Sequence, residues 1–256
     1  MSLFDLTGKV AVITGSTKGI GKAIAEEMAA HGAEVVITSR KGDVCDEVAQ
    51  SIRDKGGKAV AIPCNISHKD QMEALVAETL KLCDKIDILV CNAAANPHYG
   101  PSMTIPDEAF EKVLDVNIKS NHWLVQMVAP DMVERKDGAI IIVSSIGGYR
   151  GSATLGAYCI SKAADMQMVR NLAAELGPDN IRANCIAPGL VKTDFARTLW
   201  ENPGLSEKRI NETPLRRLGE PRDIAGIAVY LASQAGSWTT GQTFTVDGGV
   251  TSMGNG

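Results

Sequence analysis

The 256-residue sequence predicts an α/β fold, a doubly wound parallel sheet of about seven strands with helices on both faces. Three observations carry that expectation. Short apolar runs recur at about 10–13, 34–38, 58–62, 87–91, 139–143, 181–187 and 242–246. Most are separated by segments with apolar residues at helical spacing, and such alternation builds parallel strands joined by crossover helices. A glycine cluster stands between the first strand and the first helix, where folds of this class turn toward a ligand. No linker or internal repeat interrupts the pattern, so 1–256 reads as a single domain.

The first strand, about Lys9 to Ile13, runs directly into Thr14, Gly15, Ser16, Thr17, Lys18, Gly19, Ile20 and Gly21, after which Ala23 to His31 has helical composition. Glycines at 15, 19 and 21 allow a tight turn, close approach of backbone to a pyrophosphate, and close packing of helix on strand. The helix N-terminus adds free N–H groups and a positive dipole. Residues 15–21 are therefore expected to hold a dinucleotide, although the spacing TGxxxGxG differs from GxGxxG. The second strand ends in Thr38, Ser39 and Arg40, with no acid to accept hydrogen bonds from both ribose hydroxyls. Arg40 could instead clasp a 2′-phosphate bidentately, with Ser39 beside it and Lys18 adding a second positive charge. That favours NADP(H).

The run Ile140 to Val143 reads as a buried strand, which puts Ser145 at its carboxyl end, the ligand-bearing edge of an open α/β sheet. Ser144 is the rival, but adjacent residues of an extended chain face opposite ways. From Ala157 to Leu176 the spacing predicts a helix, and Tyr158 and Lys162, four residues apart, share one of its faces. A phenol with a pKa of roughly 10 is a poor proton donor near neutrality, and a nearby ammonium is the simplest way to lower it. One carbonyl oxygen could meet the Ser145 hydroxyl, the Tyr158 phenol and the Lys162 ammonium. A YxxxK pair alone commonly means an exposed tyrosine beside a solvated lysine, so its neighbours carry the reading.

Together these motifs resemble the short-chain dehydrogenase/reductase family over essentially the whole chain. Further residues match in order. Asn92, Ala93 and Ala94 follow the strand Ile86 to Cys91, where the family has Asn-Ala-Gly supporting the sheet and the cofactor ribose; Ala94 requires that backbone to accept a Cβ. Asn117 matches the fourth catalytic position, implied to hold a water that relays protons to Lys162. Pro188 and Gly189, followed by Val191 and Thr193, match the loop that closes over the nicotinamide, and Asp247, Gly248 and Gly249 match the end of the last strand. Asn65, next to Ile66, stands where the family commonly has an aspartate on the adenine amine, and its side-chain carbonyl can accept the same bond.

The resemblance implies a Rossmann-type fold in which hydride from NADPH reaches a ketone or aldehyde carbon, or returns from a secondary alcohol. Tyr158 would then donate the proton, Ser145 would bind the carbonyl oxygen, and Lys162 would tune Tyr158 and bind the nicotinamide ribose. The stretch Asn92 to Pro97 looks more like broad-range NADPH carbonyl reductases than 3-oxoacyl-carrier-protein reductases, which remain the alternative. Residues 96–101 with Tyr149 and Arg150 are expected to rim the pocket, suiting aromatic or lipophilic carbonyls. Two other classes stay open, a dinucleotide-sensing binding protein and a structural oligomer subunit. Neither needs Asn117, Ser145, Tyr158 and Lys162 together.

Composition agrees. With 45% hydrophobic residues the chain can bury a full core, and a net charge of −4 without a basic block offers no footprint for nucleic acid or an anionic membrane. Neither a membrane-length apolar run nor a leader-like N-terminus stands out, so the expected location is cytoplasmic. The six cysteines (45, 64, 83, 91, 159, 185) contain no CxxC pair and read as packing thiols. Four scattered histidines form no ligand motif, and no metal is expected. The charged stretch 189–213, with Phe195 and Trp200, reads as a substrate lid. Helix 157–176 has two apolar arcs, Ala157, Ile160, Ala164, Met168 and Leu172 on one and Cys159, Ala163, Met166, Val169, Ala173 and Leu176 on the other. One can cover the sheet; the other calls for a partner subunit, with a homotetramer expected by resemblance.

Overall fold

The computed structural model describes residues 2–253. Its strands are β1 (Val10–Thr14), β2 (Glu34–Thr38), β3 (Lys58–Ala61), β4 (Ile88–Cys91), β5 (Gly138–Val143), β6 (Ile181–Pro188) and β7 (Thr243–Val246). All are parallel, in the order β3-β2-β1-β4-β5-β6-β7, with Val12 opposite Val36 on one side and Leu89 on the other. β2 and β3 wind one way from β1, and β4 to β7 wind the other. The switch point between β1 and β4 opens a crevice at the carboxyl ends of the strands.

The strands are apolar on both faces because both faces are covered. Ile13, Val35 and Ile37 point to one side, where α1 (Gly19–Ala30), α2 (Gly42–Asp54) and α9 (Pro221–Ala232) contribute Ile24, Met28, Ile52 and Ile224. Val12, Val36, Leu89 and Ile140 point to the other, against α3 (Lys69–Cys83), α5 (Ser120–Arg135) and α6 (Gly156–Leu176), with Met72, Leu124 and Val169 between. Successive residues facing opposite cores is the strand period of two at work. Glycines 19 and 21 already lie inside α1, so the first helix begins four residues before the expected Ala23.

Several devices sit at the sheet's amino end, away from the crevice. The Asp87 side chain, 1% exposed, accepts from the Val10 backbone N–H at 2.8 Å and from Arg135 Nη1 at 2.9 Å, with Lys85 Nζ at 3.0 Å. Arg135 also donates to the Ile86 carbonyl at 2.8 Å, and Lys9 pairs with Asp137. A buried carboxylate is tolerable only when paired and hydrogen-bonded in this way.

Two segments depart from regular elements near the site. Between α4 (Asp107–Leu114) and α5 a turn of π-helix, Asp115–Lys119, inserts Asn117 into the interior, where it is fully buried. Such π-bulges often mark functional positions. The 189–213 segment, expected as a long loop, is largely helical: a 3₁₀ turn, then α7 (Arg197–Trp200) and α8 (Pro203–Glu212). Asn202 explains the second helix, since its side chain accepts from Gly204 N at 3.1 Å and Leu205 N at 3.2 Å while Pro203 sits at the first helical position.

The two expected arcs of α6 do not separate into an inner and an outer face: Cys159, Met166 and Val169 of one and Ala157 of the other are buried, Met168 and Leu172 pack against the same core, and Ala163 and Ile160 are exposed, Ile160 by 54%. All six cysteines are free thiols, five of them buried. No helix among the described residues is long and apolar enough to cross a membrane.

Candidate active site

A cleft of about 1460 Å³ runs along the carboxyl edge of the sheet. Its dinucleotide end is built at the switch point. Gly15 and Gly19 adopt φ +67° and +56°, conformations that disfavour a Cβ, and the turn brings the α1 N-terminus to the cleft with no side-chain cap on its first N–H groups. Asn92, from the end of β4, clamps the turn: its Nδ2 donates to the Thr14 carbonyl at 2.8 Å, and its own N–H and that of Ala93 share the Thr14 hydroxyl at 2.9 and 3.0 Å. A Cβ on Gly21 would lie 2.4 Å from that Nδ2 and 2.5 Å from the Gly15 carbonyl oxygen, which is why glycine is required there. Open N–H groups at a helix start, with glycines clearing the approach, fit a pyrophosphate.

Of the residues expected at the site, Thr17, Lys18, Ile20, Ser39, Arg40, Asn65, Ile66, Ala93, Pro188, Gly189, Val191 and Thr193 line the cleft, with Gly15, Gly19, Asn92, Ser145, Tyr158 and Lys162. Ser16, Gly21 and Asn117 do not. The Ser16 hydroxyl is turned inward, accepting from the Thr38 N–H at 2.9 Å, so its side chain ties β1 to β2 rather than facing a ligand. Gly21 acts by its absence of bulk. Arg40 is exposed and, among the described residues, makes no ion pair, whereas Lys18 Nζ reaches Asp194 at 3.4 Å across the cleft mouth. Asn65 Oδ1 already accepts from Ser67 N at 3.2 Å and keeps a second lone pair. Ala94 is not among the residues with positive φ, so its Cβ fits.

The other end gathers the titratable groups. Ser144 and Ser145 face opposite ways: the Ser144 hydroxyl donates to the Lys162 carbonyl at 2.7 Å, anchoring α6, while Ser145 Oγ accepts from Gly147 N at 3.1 Å and faces Tyr158 at the cleft. Phe195 leans on the Tyr158 ring, centroids 6.0 Å apart, and Trp200 Nε1 donates to the Thr193 carbonyl at 2.8 Å. Burial pushes the phenol up; the Lys162 ammonium, 5.7 Å from the ring centroid, and the Ser145 hydroxyl pull it down, and burial wins. The pull of Lys162 is in the direction expected from the YxxxK spacing, and burial opposes it. Asn96, Pro97, Tyr99 and Arg150 line the rim, while His98 and Tyr149 do not; Gly100 N donates to the Thr154 carbonyl at 3.0 Å and fixes that segment beside α6.

Lys162 holds one partner that the sequence motifs do not announce. Its Nζ donates to the Val143 carbonyl at 2.9 Å and to Asp165 Oδ2 at 2.9 Å, with the carboxylate wholly buried. Asp165 Oδ1 accepts from Asn121 Nδ2 at 3.2 Å, and the same amide donates to the Asn117 carbonyl at 2.7 Å. Asn117 Oδ1 accepts from Ala95 N at 2.8 Å, and its Nδ2 donates to the Ala95 carbonyl and to Ser161 Oγ, each at 3.0 Å. Direct hydrogen bonds also connect Asn117 to Lys162 through Asn121 and Asp165. The available signal was an acid three residues after Lys162 on the buried side of a helix rich in alanine and methionine.

A doubly wound sheet, a pyrophosphate turn at its switch point and a Ser/Tyr/Lys group at the same edge define an oxidoreductase that uses a nicotinamide dinucleotide. The family model described as "Enoyl-(Acyl carrier protein) reductase" matches residues 15–251. "Dehydrogenase/reductase SDR family member 4" of Bos taurus is 42% identical over 244 residues, 95% of this chain and 88% of that protein. Two solved structures extend the comparison. A 7α-hydroxysteroid dehydrogenase complexed with NADH and 7-oxo glycochenodeoxycholic acid superposes with TM-score 0.93 at 39% identity, covering 96% of this chain and 95% of that one. A gluconate 5-dehydrogenase from Burkholderia cenocepacia, in complex with NADP and tartrate, gives TM-score 0.94 at 31% identity, covering 98% of each chain. The chain belongs to the short-chain dehydrogenase/reductase family.

Proposed function

We propose that the protein is an NADP(H)-dependent carbonyl reductase acting on lipophilic or aromatic ketones and aldehydes, and on the corresponding secondary alcohols in reverse. One observation carries the reading: Ser145 and Tyr158 face each other over buried Lys162 in the cleft whose other end carries the pyrophosphate turn and the exposed Arg40. When bound, the dinucleotide supplies or accepts the hydride. Gly15 to Ile20 hold its pyrophosphate, Arg40 and Ser39 its 2′-phosphate, Asn65 and Ile66 its adenine, and Asn92, Ala93, Lys162 and residues 188–193 its nicotinamide half.

The remaining steps belong to this chain's own groups. Tyr158 transfers its phenolic proton to the carbonyl oxygen as negative charge develops there, and Ser145 donates a hydrogen bond to the same oxygen. Lys162 supplies a fixed positive charge below them, and Asn117 positions the backbone at Ala95 and the α6 turn at Ser161. The segment 189–213 serves as a lid on a single domain, a role supported by the Lys18–Asp194 contact across the cleft mouth. Apolar residues at the rim, Pro97, Tyr99 and Phe195, suit a lipophilic substrate. The hydroxysteroid dehydrogenase, holding NADH and 7-oxo glycochenodeoxycholic acid, puts a lipophilic ketone in a relative of similar shape, and the gluconate 5-dehydrogenase puts NADP in another.

NADPH oxidation followed spectrophotometrically with a panel of aromatic ketones, steroid ketones, sugar-acid ketones and 3-oxoacyl thioesters tests the reading. Turnover favouring the aromatic and steroid ketones is expected. Turnover confined to thioesters would replace it with the acyl-carrier alternative.

A further inference from the structure

We propose that Arg150 is a specificity-determining residue, the seat for a carboxylate that the substrate carries several bonds away from its reacting carbonyl. The inference rests on the reductase reading, whose substrate class it narrows to lipophilic ketones and aldehydes that also bear an acid. Charge pairing along the cleft singles the residue out. Lys18 reaches Asp194 at 3.4 Å, Arg209 holds Glu212 at 3.1 Å, Arg217 Nη2 donates to Asp223 at 2.8 Å, and Lys162 is matched by Asp165. Lys112 donates to Ser67 Oγ at 2.8 Å, close in sequence to Asn65 and Ile66, while Arg40 and Lys41 follow β2, so these three belong to the adenine end. Arg150 is the remaining cation of the lining. It shares the cleft wall with Ser145, Tyr158 and Cys159, and among the described residues it makes no ion pair.

An arginine on a loose loop is ordinarily solvated, but the backbone under Arg150 is fixed from three sides. The 3₁₀ turn Ile146–Tyr149 is closed by Gly148 N donating to the Ser145 carbonyl at 3.0 Å. Gly148 lies flush on α6, where a Cβ would come 2.9 Å from the Lys162 carbonyl oxygen. The Tyr149 hydroxyl accepts from Thr245 Oγ1 of β7 at 3.2 Å. Only the side chain therefore remains to be ordered when a ligand arrives. Five steps of chain at roughly 2 Å of rise each put the Arg150 backbone on the order of 10 Å from Ser145. The charge is felt at the chemical end of the cleft: burial raises the Cys159 thiol, next to Tyr158, and Arg150 pulls against the rise.

A guanidinium presents a planar fork that matches the two oxygens of a carboxylate. The wall around this one is apolar, with Ile146, Leu155, Tyr99 and Phe195 in the lining. One cation at the edge of an apolar cleft selects an amphiphile whose acid meets Arg150 while its carbonyl lies at Ser145 and Tyr158.

Steady-state reduction of 4-acetylbenzoate and of its methyl ester by NADPH compares one ketone with and without the charge. The acid should be preferred in kcat/KM. In Arg150→Gln the ratio of acid to ester should fall by at least about tenfold, the least that loss of a charge-assisted hydrogen bond causes, with the change carried by KM rather than kcat. Arg150→Lys should recover part of the preference, and added salt should erode it because the residue is exposed. Benzoylformate and its methyl ester, in which the carboxyl adjoins the carbonyl, should keep their ratio in Arg150→Gln. No preference for 4-acetylbenzoate in the unsubstituted protein, a ratio that Arg150→Gln leaves unmoved, or an equal fall in both pairs overturns the proposal.

Calorimetric titration of 4-acetylbenzoate into the protein saturated with NADP⁺ separates this assignment from the reductase reading. Binding that weakens about tenfold in Arg150→Gln, with no ketone turned over, would remove the reductase reading and leave the carboxylate seat in place. Turnover of ketones without preference for the acid would do the reverse. Neither binding nor turnover overturns both.

Discussion

Replacing Arg40 by aspartate should move cofactor preference from NADPH toward NADH. Arg40 follows the last residues of β2, is exposed, and has no carboxylate partner among the described residues, so its guanidinium is available to a 2′-phosphate. A hydrogen bond to a charged group contributes about 1.5–3 kcal/mol. Exposure places these at the lower end, and a bidentate contact then amounts to about 3 kcal/mol, or about two decades in affinity. The carboxylate introduced by Arg40→Asp would also repel the phosphate and accept hydrogen bonds from the ribose hydroxyls of NADH. The ratio of kcat/KM for NADPH to that for NADH should therefore fall by about 100-fold or more, with the melting temperature unchanged because no protein contact is lost. The preference of the unsubstituted enzyme should shrink as salt rises, since the contact lies at the surface. Steady-state kinetics with both cofactors at two ionic strengths decides the matter. An unchanged ratio would mean that the phosphate is met by Lys18 or Ser39, and the argument from Arg40 would be wrong.

Tyr158→Phe should retain NADPH binding, measured by fluorescence titration, while kcat falls by several orders of magnitude, because one proton is lost and the ring's packing against Phe195 stays. Ser145→Ala should lower kcat by roughly 10²-fold, whereas Ser144→Ala, which breaks the bond to the Lys162 carbonyl, should chiefly lower the denaturation midpoint; the reverse pattern would exchange their roles. Asp87→Ala should cost about 1–3 kcal/mol in denaturant unfolding, since it leaves the buried Val10 N–H without its acceptor while Arg135 keeps Asp131, yet leave KM for both substrates alone. We also propose a homotetramer, with exposed Ile160 of α6 at a subunit contact. Light scattering should give about four times 27.1 kDa, and a monomer at micromolar concentration would refute it.

Much of this was readable from sequence because the fold's grammar is local. Each strand was marked by its own apolar run, and the glycine turn needs only its own residues to be recognised. Ser145 separated from Ser144 by the alternation of an extended chain, and in the structure one hydroxyl binds α6 while the other faces the phenol. What was not legible depends on contacts between distant segments. The inward turn of Ser16 is dictated by the Thr38 N–H on the neighbouring strand. The helicity of 203–212 came from an asparagine cap and a proline start within a stretch whose charge suggested a loop. The net effect on Tyr158 needed both its burial and the position of Asp165, neither of which the YxxxK spacing contains.

The Asp87 cluster and the Lys9–Asp137 pair sit at one edge of the sheet and the cleft at the other, with the length of the strands between them. Folding strength and chemistry are thereby assigned to opposite poles of the molecule. Segments such as 96–101, 146–152 and 189–213 can be rewritten for a new substrate while the anchoring edge stays as it is. For anyone wishing to alter what this protein reduces, the amino edge is the part to leave untouched, and it sets how much disruption the rim can absorb.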